Sequence, residues 1–92
     1  MIITRINHFE AKSGSEQGLF TFLQSVIAVI QSAPGCLSAK LLRGTLDTKH
    51  FAIIEEWQSL EAHREAAKLI PQQKLSELGP LLARQPTGTY FS

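Results

Sequence analysis

The sequence predicts an α+β fold, a four-stranded antiparallel sheet with helices on one face in the ferredoxin-like split βαβ arrangement. Three observations lead there. Stretches of alternating and of helical hydrophobic spacing follow in the order strand, helix, strand, strand, helix, short helix, strand. The turn between the two middle strands is short, which makes them antiparallel neighbours. The third strand, "HFAIIEEW", is apolar on both faces through its middle, so each side of the sheet needs a cover.

The first strand, "IITRINHFE" over residues 2–10, puts Ile3, Arg5, Asn7 and Phe9 on one face and Ile2, Thr4, Ile6 and His8 on the other. "AKSGSE" breaks it. Ser13 with Glu16 three residues later has the form of a capping box, and Leu19, Leu23, Val26, Ile27 and Ile30 then recur at helical spacing. Phe20, Phe22 and Val29 widen that stripe, and "APG" ends the helix, since Pro34 lacks a donor and Gly35 tolerates positive φ.

"CLSAKLLRG" alternates as a second strand and "DTK" turns the chain into the third. There Phe51, Ile53, Glu55 and Trp57 share one face, and His50, Ala52, Ile54 and Glu56 share the other. Ser59 can cap a second helix, with Glu61 in its first turn. His63, Ala66, Ala67 and Ile70 lie on one side of it. Pro71 interrupts the helix, and Leu75, Leu78, Leu81 and Leu82 mark a further short piece broken around Gly79 and Pro80. "PTGTYF" reads as the fourth strand.

Ninety-two residues make one small domain, residues 1–92. Such a chain buries roughly 60–65% of its unfolded surface, so its core is thin. The lone Cys36 cannot form an internal disulfide, and no Cys/His spacing suggests zinc. A net charge of +1 with dispersed Lys and Arg argues against nucleic acid as a partner. No apolar run approaches a membrane span, no signal peptide is recognisable and no phosphate-binding glycine loop occurs. The expectation is a soluble cytoplasmic protein without metal or cofactor. Because helices would cover only one face of the sheet, a second copy packed on the bare face would supply the missing burial, and a homodimer is expected.

Four segments in order, "PGCL" at Pro34 to Leu37, "EEWQS" at the end of the third strand, "LEAH" and "PLLARQPTGTYF", make the chain resemble the antibiotic biosynthesis monooxygenase (ABM) domain. The resemblance spans essentially the whole chain. It implies a dimeric α+β barrel, two sheets face to face with the helices outside, and a pocket between each sheet and its own helices. Activities in that family include cofactor-free oxidation of quinols and polycyclic phenols, heme degradation and isomerisation of a small sugar phosphate. Asn7 stands where the family often has a pocket asparagine, Trp57 matches its strand-to-helix tryptophan, and Glu55 matches the acid two residues before. Heme-degrading members carry a second tryptophan nine positions after the first, and many quinol-type members a histidine. Here Ala66 stands there, and Ser76 occupies the place of the iron-ligating histidine, which argues against heme binding in that manner.

The candidate catalytic residues are therefore Asn7, His63 and Glu55. Asn7 carries both a donor and an acceptor for an oxyanion, and His63 titrates near neutral pH, as a base should. Glu55, on the face turned toward the helices, must be paired, raised in pKa or wet at the strand end; His63 and Arg5 are the partners in reach. Trp57, Phe51 and Tyr90 are candidate substrate contacts, although a large aromatic just before a helix, as Trp57 is, more often belongs to the core. Glu56 points the other way, His8 and His50 fall on the expected interface face, and Cys36 reads as an inert thiol. Two functions fit. One is a cofactor-independent monooxygenase, or a related isomerase, acting on a small aromatic or enolisable compound. The other is a non-catalytic dimer that binds an apolar metabolite or serves as an accessory protein.

Overall fold

In the computed structural model, which describes all 92 residues, strand β1 (Ile3–Glu10) leads into helix α1 (Glu16–Gln31). Strands β2 (Cys36–Arg43) and β3 (His50–Trp57) form a hairpin, followed by helices α2 (Leu60–Ala67) and α3 (Gln72–Leu78), a 3-10 turn at Gly79–Leu81, and strand β4 (Thr87–Phe91). The sheet is antiparallel with order β2-β3-β1-β4. The expected ferredoxin-like sheet is thus present, and β1 and β3 are its two central strands.

Side-chain alternation in β3 decides which face the helices cover. Phe51, Ile53, Glu55 and Trp57 are buried, while the residues between them are exposed or half-buried. Leu19, Leu23, Val26 and Ile30 of α1 are buried against that face. They recur every three or four residues, the spacing that lines up one side of a helix.

Helix ends follow local chemistry with one departure from expectation. No capping box forms at Ser13: Ser15 takes the N-cap position without a side-chain bond, and Ser13 Oγ instead accepts from Lys49 Nζ at 2.8 Å. Gly14, at φ 89°, turns the chain one residue later than a Ser13 cap would need. Ser59 does cap α2, its Oγ accepting from Ala62 N at 3.1 Å. The helix ends at Ala67, short of Ile70, and Pro71 starts α3. Gly35 is required twice over, by its φ of +86° and because a Cβ there would lie 2.6 Å from Ala62 Cβ. That close approach seats α2 on the β2–β3 end of the sheet, where Gln58 N also donates to Gly35 O at 2.9 Å.

The opposite face of the sheet carries no helix. Ile6 and Ile54 pair across its centre, flanked by Leu42 and Phe91, the latter two 43% and 51% exposed. His8 Nδ1 and His50 Nε2 meet on this face at 3.0 Å, away from the helices, as expected. The chain exposes 5711 Å², against about 5,300 Å² for a compact monomer of this mass. No helix is long and apolar enough to cross a membrane.

Candidate functional site

The register of the two central strands builds the site. Arg5 lies opposite Glu55 and Asn7 opposite Ile53, so Arg5, Asn7 and Glu55 share the helix-covered face. Glu55 is 2% exposed and is the one charged residue in the core. A carboxylate there needs donors, and it has two. Trp57 Nε1 donates to Oε1 at 2.8 Å, and Asn7 Nδ2 donates to Oε2 at 3.0 Å.

Arg5 Nε donates to Asn7 Oδ1 at 3.0 Å, which fixes the amide with its nitrogen toward Glu55. The same guanidinium lies 4.5 Å above the ring of Tyr90, its neighbour on β4. Tyr90 in turn holds His63 of α2, with OH to Nδ1 at 2.6 Å. His63 Nε2 points at Glu55 Oε1 from 3.8 Å, too far for a direct hydrogen bond. Its ring meets Trp57 edge-on at 5.5 Å between centroids.

Burial raises the pKa of Glu55, and the Trp57 bond, the Arg5 charge and the Asn7 bond oppose that rise without cancelling it. Burial lowers the pKa of His63, and the positive charges of Arg5 and Arg64 lower it further. The two groups are shifted toward each other, an acid made more basic beside a base made more acidic. Burial and the charge of Glu55 raise the Cys36 thiol, in keeping with an unreactive cysteine.

A cavity of about 160 Å³ opens in front of these groups, between the sheet and the helices. Twelve of its 15 lining residues are hydrophobic, and the other three are Asn7, Glu55 and His63. Trp57 is both core and wall: it is fully buried and it lines the cavity. Phe22 and Val26 of α1 form one side, Ala66 and Ile70 another, and Leu75 and Leu78 of α3 a third.

Two expected substrate contacts stand elsewhere. Phe51 is fully buried in the neighbouring core cluster, stacked with Phe20 at 6.2 Å, and does not line the cavity; the half-buried Phe9 and Phe22 do. Tyr90 stands behind His63 and is likewise absent from the lining. The α1 and α3 wall residues were visible in sequence only as ordinary apolar stripes. Arg5, expected as a partner for Glu55, acts on it through its charge and makes its hydrogen bond to Asn7. Ser76 turns outward, its Oγ bonding Gln73 O at 2.6 Å, and no three His, Cys, Asp or Glu side chains cluster as metal ligands.

No curated protein sequence matches this chain significantly. Its fold matches solved structures closely. Rv0793 of Mycobacterium tuberculosis superposes with a TM-score of 0.87 at 21% identity, covering 100% of this chain and 94% of that one. A mutant of SnoaB, a cofactor-independent oxygenase from Streptomyces nogalater, gives 0.84 at 20% identity over 99% and 91%. PA3566 of Pseudomonas aeruginosa gives 0.83 at 22% over 98% and 91%. At such identities these likenesses establish the fold. The family model described as antibiotic biosynthesis monooxygenase matches residues 2–74, a span that runs from β1 through Asn7, Glu55, Trp57 and His63 into α3, and the chain belongs to that family.

Proposed function

We propose that the chain is a cofactor-independent monooxygenase for a small electron-rich aromatic or enolisable compound, working as a cytoplasmic homodimer. The observation that carries this reading is the convergence of Asn7, Glu55 and His63 on one pole of an otherwise apolar cavity. Reduction of dioxygen to water takes four electrons, and here the substrate supplies them. A hydroquinone and O2 would give a hydroxyquinone and water: one oxygen atom becomes the new ring hydroxyl, and two hydrogens leave with the other.

The step the protein can promote is formation of the electron-rich anion. Glu55, made more basic by burial, takes the hydroxyl proton. A phenol is a better donor than an imidazole N–H, so Tyr90 O–H donates to His63 Nδ1 and leaves the ring proton on Nε2, facing the pole. His63 then donates to the developing oxyanion, together with the second N–H of Asn7. From sequence His63 is expected as the base, oriented by Glu55, with Asn7 holding the oxyanion; here Glu55 takes the role of base and His63 donates beside Asn7. The apolar walls exclude water and strengthen both contacts.

Oxygen uptake with a panel of hydroquinones tests the proposal. Turnover should fall about 10²–10⁴-fold in Glu55→Gln and about 10²–10³-fold in Asn7→Ala. No uptake with any member, or uptake unchanged in both variants, leaves the non-catalytic binding protein as the reading.

A further inference from the structure

The dimensions of the cavity narrow its ligand, an inference that rests on reading this cavity as the substrate site. At about 160 Å³ it is close to an engineered cavity of about 150 Å³ in another protein that accepts benzene. One ring fills such a space. Its polar groups are confined to one cluster, because Asn7 and His63 both stand beside Glu55, at 3.0 and 3.8 Å. Phe9, Phe22 and Trp57 give the remainder an aromatic lining, and aliphatic side chains complete it. Away from the cluster the lining offers a ligand oxygen no protein partner, so a second oxygen, as in a hydroquinone, is accommodated only where the cavity opens to water.

We infer that the cavity takes a single-ring phenol or hydroquinone with one oxygen directed at the Asn7–Glu55–His63 cluster, and that it discriminates against fused-ring phenols. A second fused ring would exceed this volume and press on the lining, and overpacking of that kind is unfavourable; the wall open to trimming is the one that Leu75 and Leu78 of α3 supply. Leu75 is 41% exposed and α3 has no buried residue, so trimming this wall enlarges the cavity without removing core.

Trp57 supplies the assay. It is the only tryptophan, it lines the cavity, and its indole N–H is bonded to Glu55, so one proton–nitrogen resonance reports occupancy whether or not any reaction follows. The probes are p-cresol, 2-naphthol and p-xylene, the last replacing the cresol hydroxyl by a methyl group of similar size. In an anaerobic titration p-cresol should shift the indole resonance saturably, with an affinity about tenfold above that of each of the other two. Leu75→Ala should improve 2-naphthol binding several-fold relative to p-cresol. Wild-type affinity for 2-naphthol equal to or above that for p-cresol overturns the size limit, and p-xylene binding as well as p-cresol overturns the oxygen-directing cluster. Selective p-cresol binding without oxygen uptake would leave this inference standing and remove the monooxygenase reading.

Discussion

Replacing Trp57 by Phe tests what holds the buried carboxylate in place. The substitution keeps an aromatic wall and removes one of the two donors to Glu55, the 2.8 Å bond from Nε1. A hydrogen bond to a charged group contributes about 1.5–3 kcal/mol, and Glu55 is 2% exposed, with only its cavity-facing side within reach of water. The lost portion of the fully buried ring adds roughly 1 kcal/mol. The expected loss is about 3 kcal/mol, a fall in Tm of at least about 12 °C for a chain of this size.

The pH dependence of that loss separates the bond from mere packing. The Trp57 bond lowers the pKa of Glu55 against the larger effect of burial, so without it the folded-state pKa rises further. Near pH ~4 the folded-state carboxyl is already largely protonated and gains little from a charge-assisted donor. The deficit should therefore be larger near pH ~8 than near pH ~4, by about 1 kcal/mol or more. Urea denaturation at matched protein concentration, followed by far-UV circular dichroism, measures both. A deficit equal at the two pH values, or below about 1 kcal/mol at the higher one, would refute the reasoning.

Other substitutions test the rest of the arrangement. Glu55 has a raised folded pKa, so its protonated folded form is favoured and stability falls as pH rises from its ordinary 4.5 through the folded value. His63 has a lowered pKa, so stability rises with pH through the folded value up to its ordinary 6.5. Denaturation profiles of Glu55→Gln and His63→Gln should consequently lose slopes of opposite sign, and two profiles parallel to wild type would contradict both shifts. A Cβ at Gly88 would collide with the side chains of Arg5 and Asn7; Gly88→Ala should leave a folded chain by circular dichroism while oxygen uptake falls about 10²-fold, and full activity would show that the placement of Asn7 is immaterial. On the helix-free face, Ile54→Lys opposite Ile6 should turn a dimer into a monomer by light scattering; a wild-type monomer at micromolar concentration would sink the dimer, whose interface should bury about 1,200 Å² or more.

Much of this architecture was legible because the signals are local. Alternation in "HFAIIEEW" separated Glu55 and Trp57 from Glu56, and the β3 burial pattern follows it residue by residue. Ser59 and Gly35 were readable because a cap and a positive-φ turn depend on a few neighbouring atoms. The Ser13 box gives way to a turn at Gly14 that puts Ser15 at the N-cap, and Lys49, from the β2–β3 connection, bonds the Ser13 hydroxyl instead.

The sequence by itself determined the order of elements, the face that the two central strands turn to the helices, and the family. Those properties rest on periodicity and turn chemistry, which act within a few residues. Only the tertiary structure decided what the site is made of. Asn7, Glu55, His63 and Tyr90 come from four elements, and their 2.6–3.8 Å separations depend on strand register and on where α2 settles against Gly35. The exclusion of Phe51 from the cavity, the restraint of Asn7 by Arg5 and the wall supplied by α3 have the same origin. Each is a packing outcome between segments distant in the chain, and no spacing along the sequence encodes the distance between them.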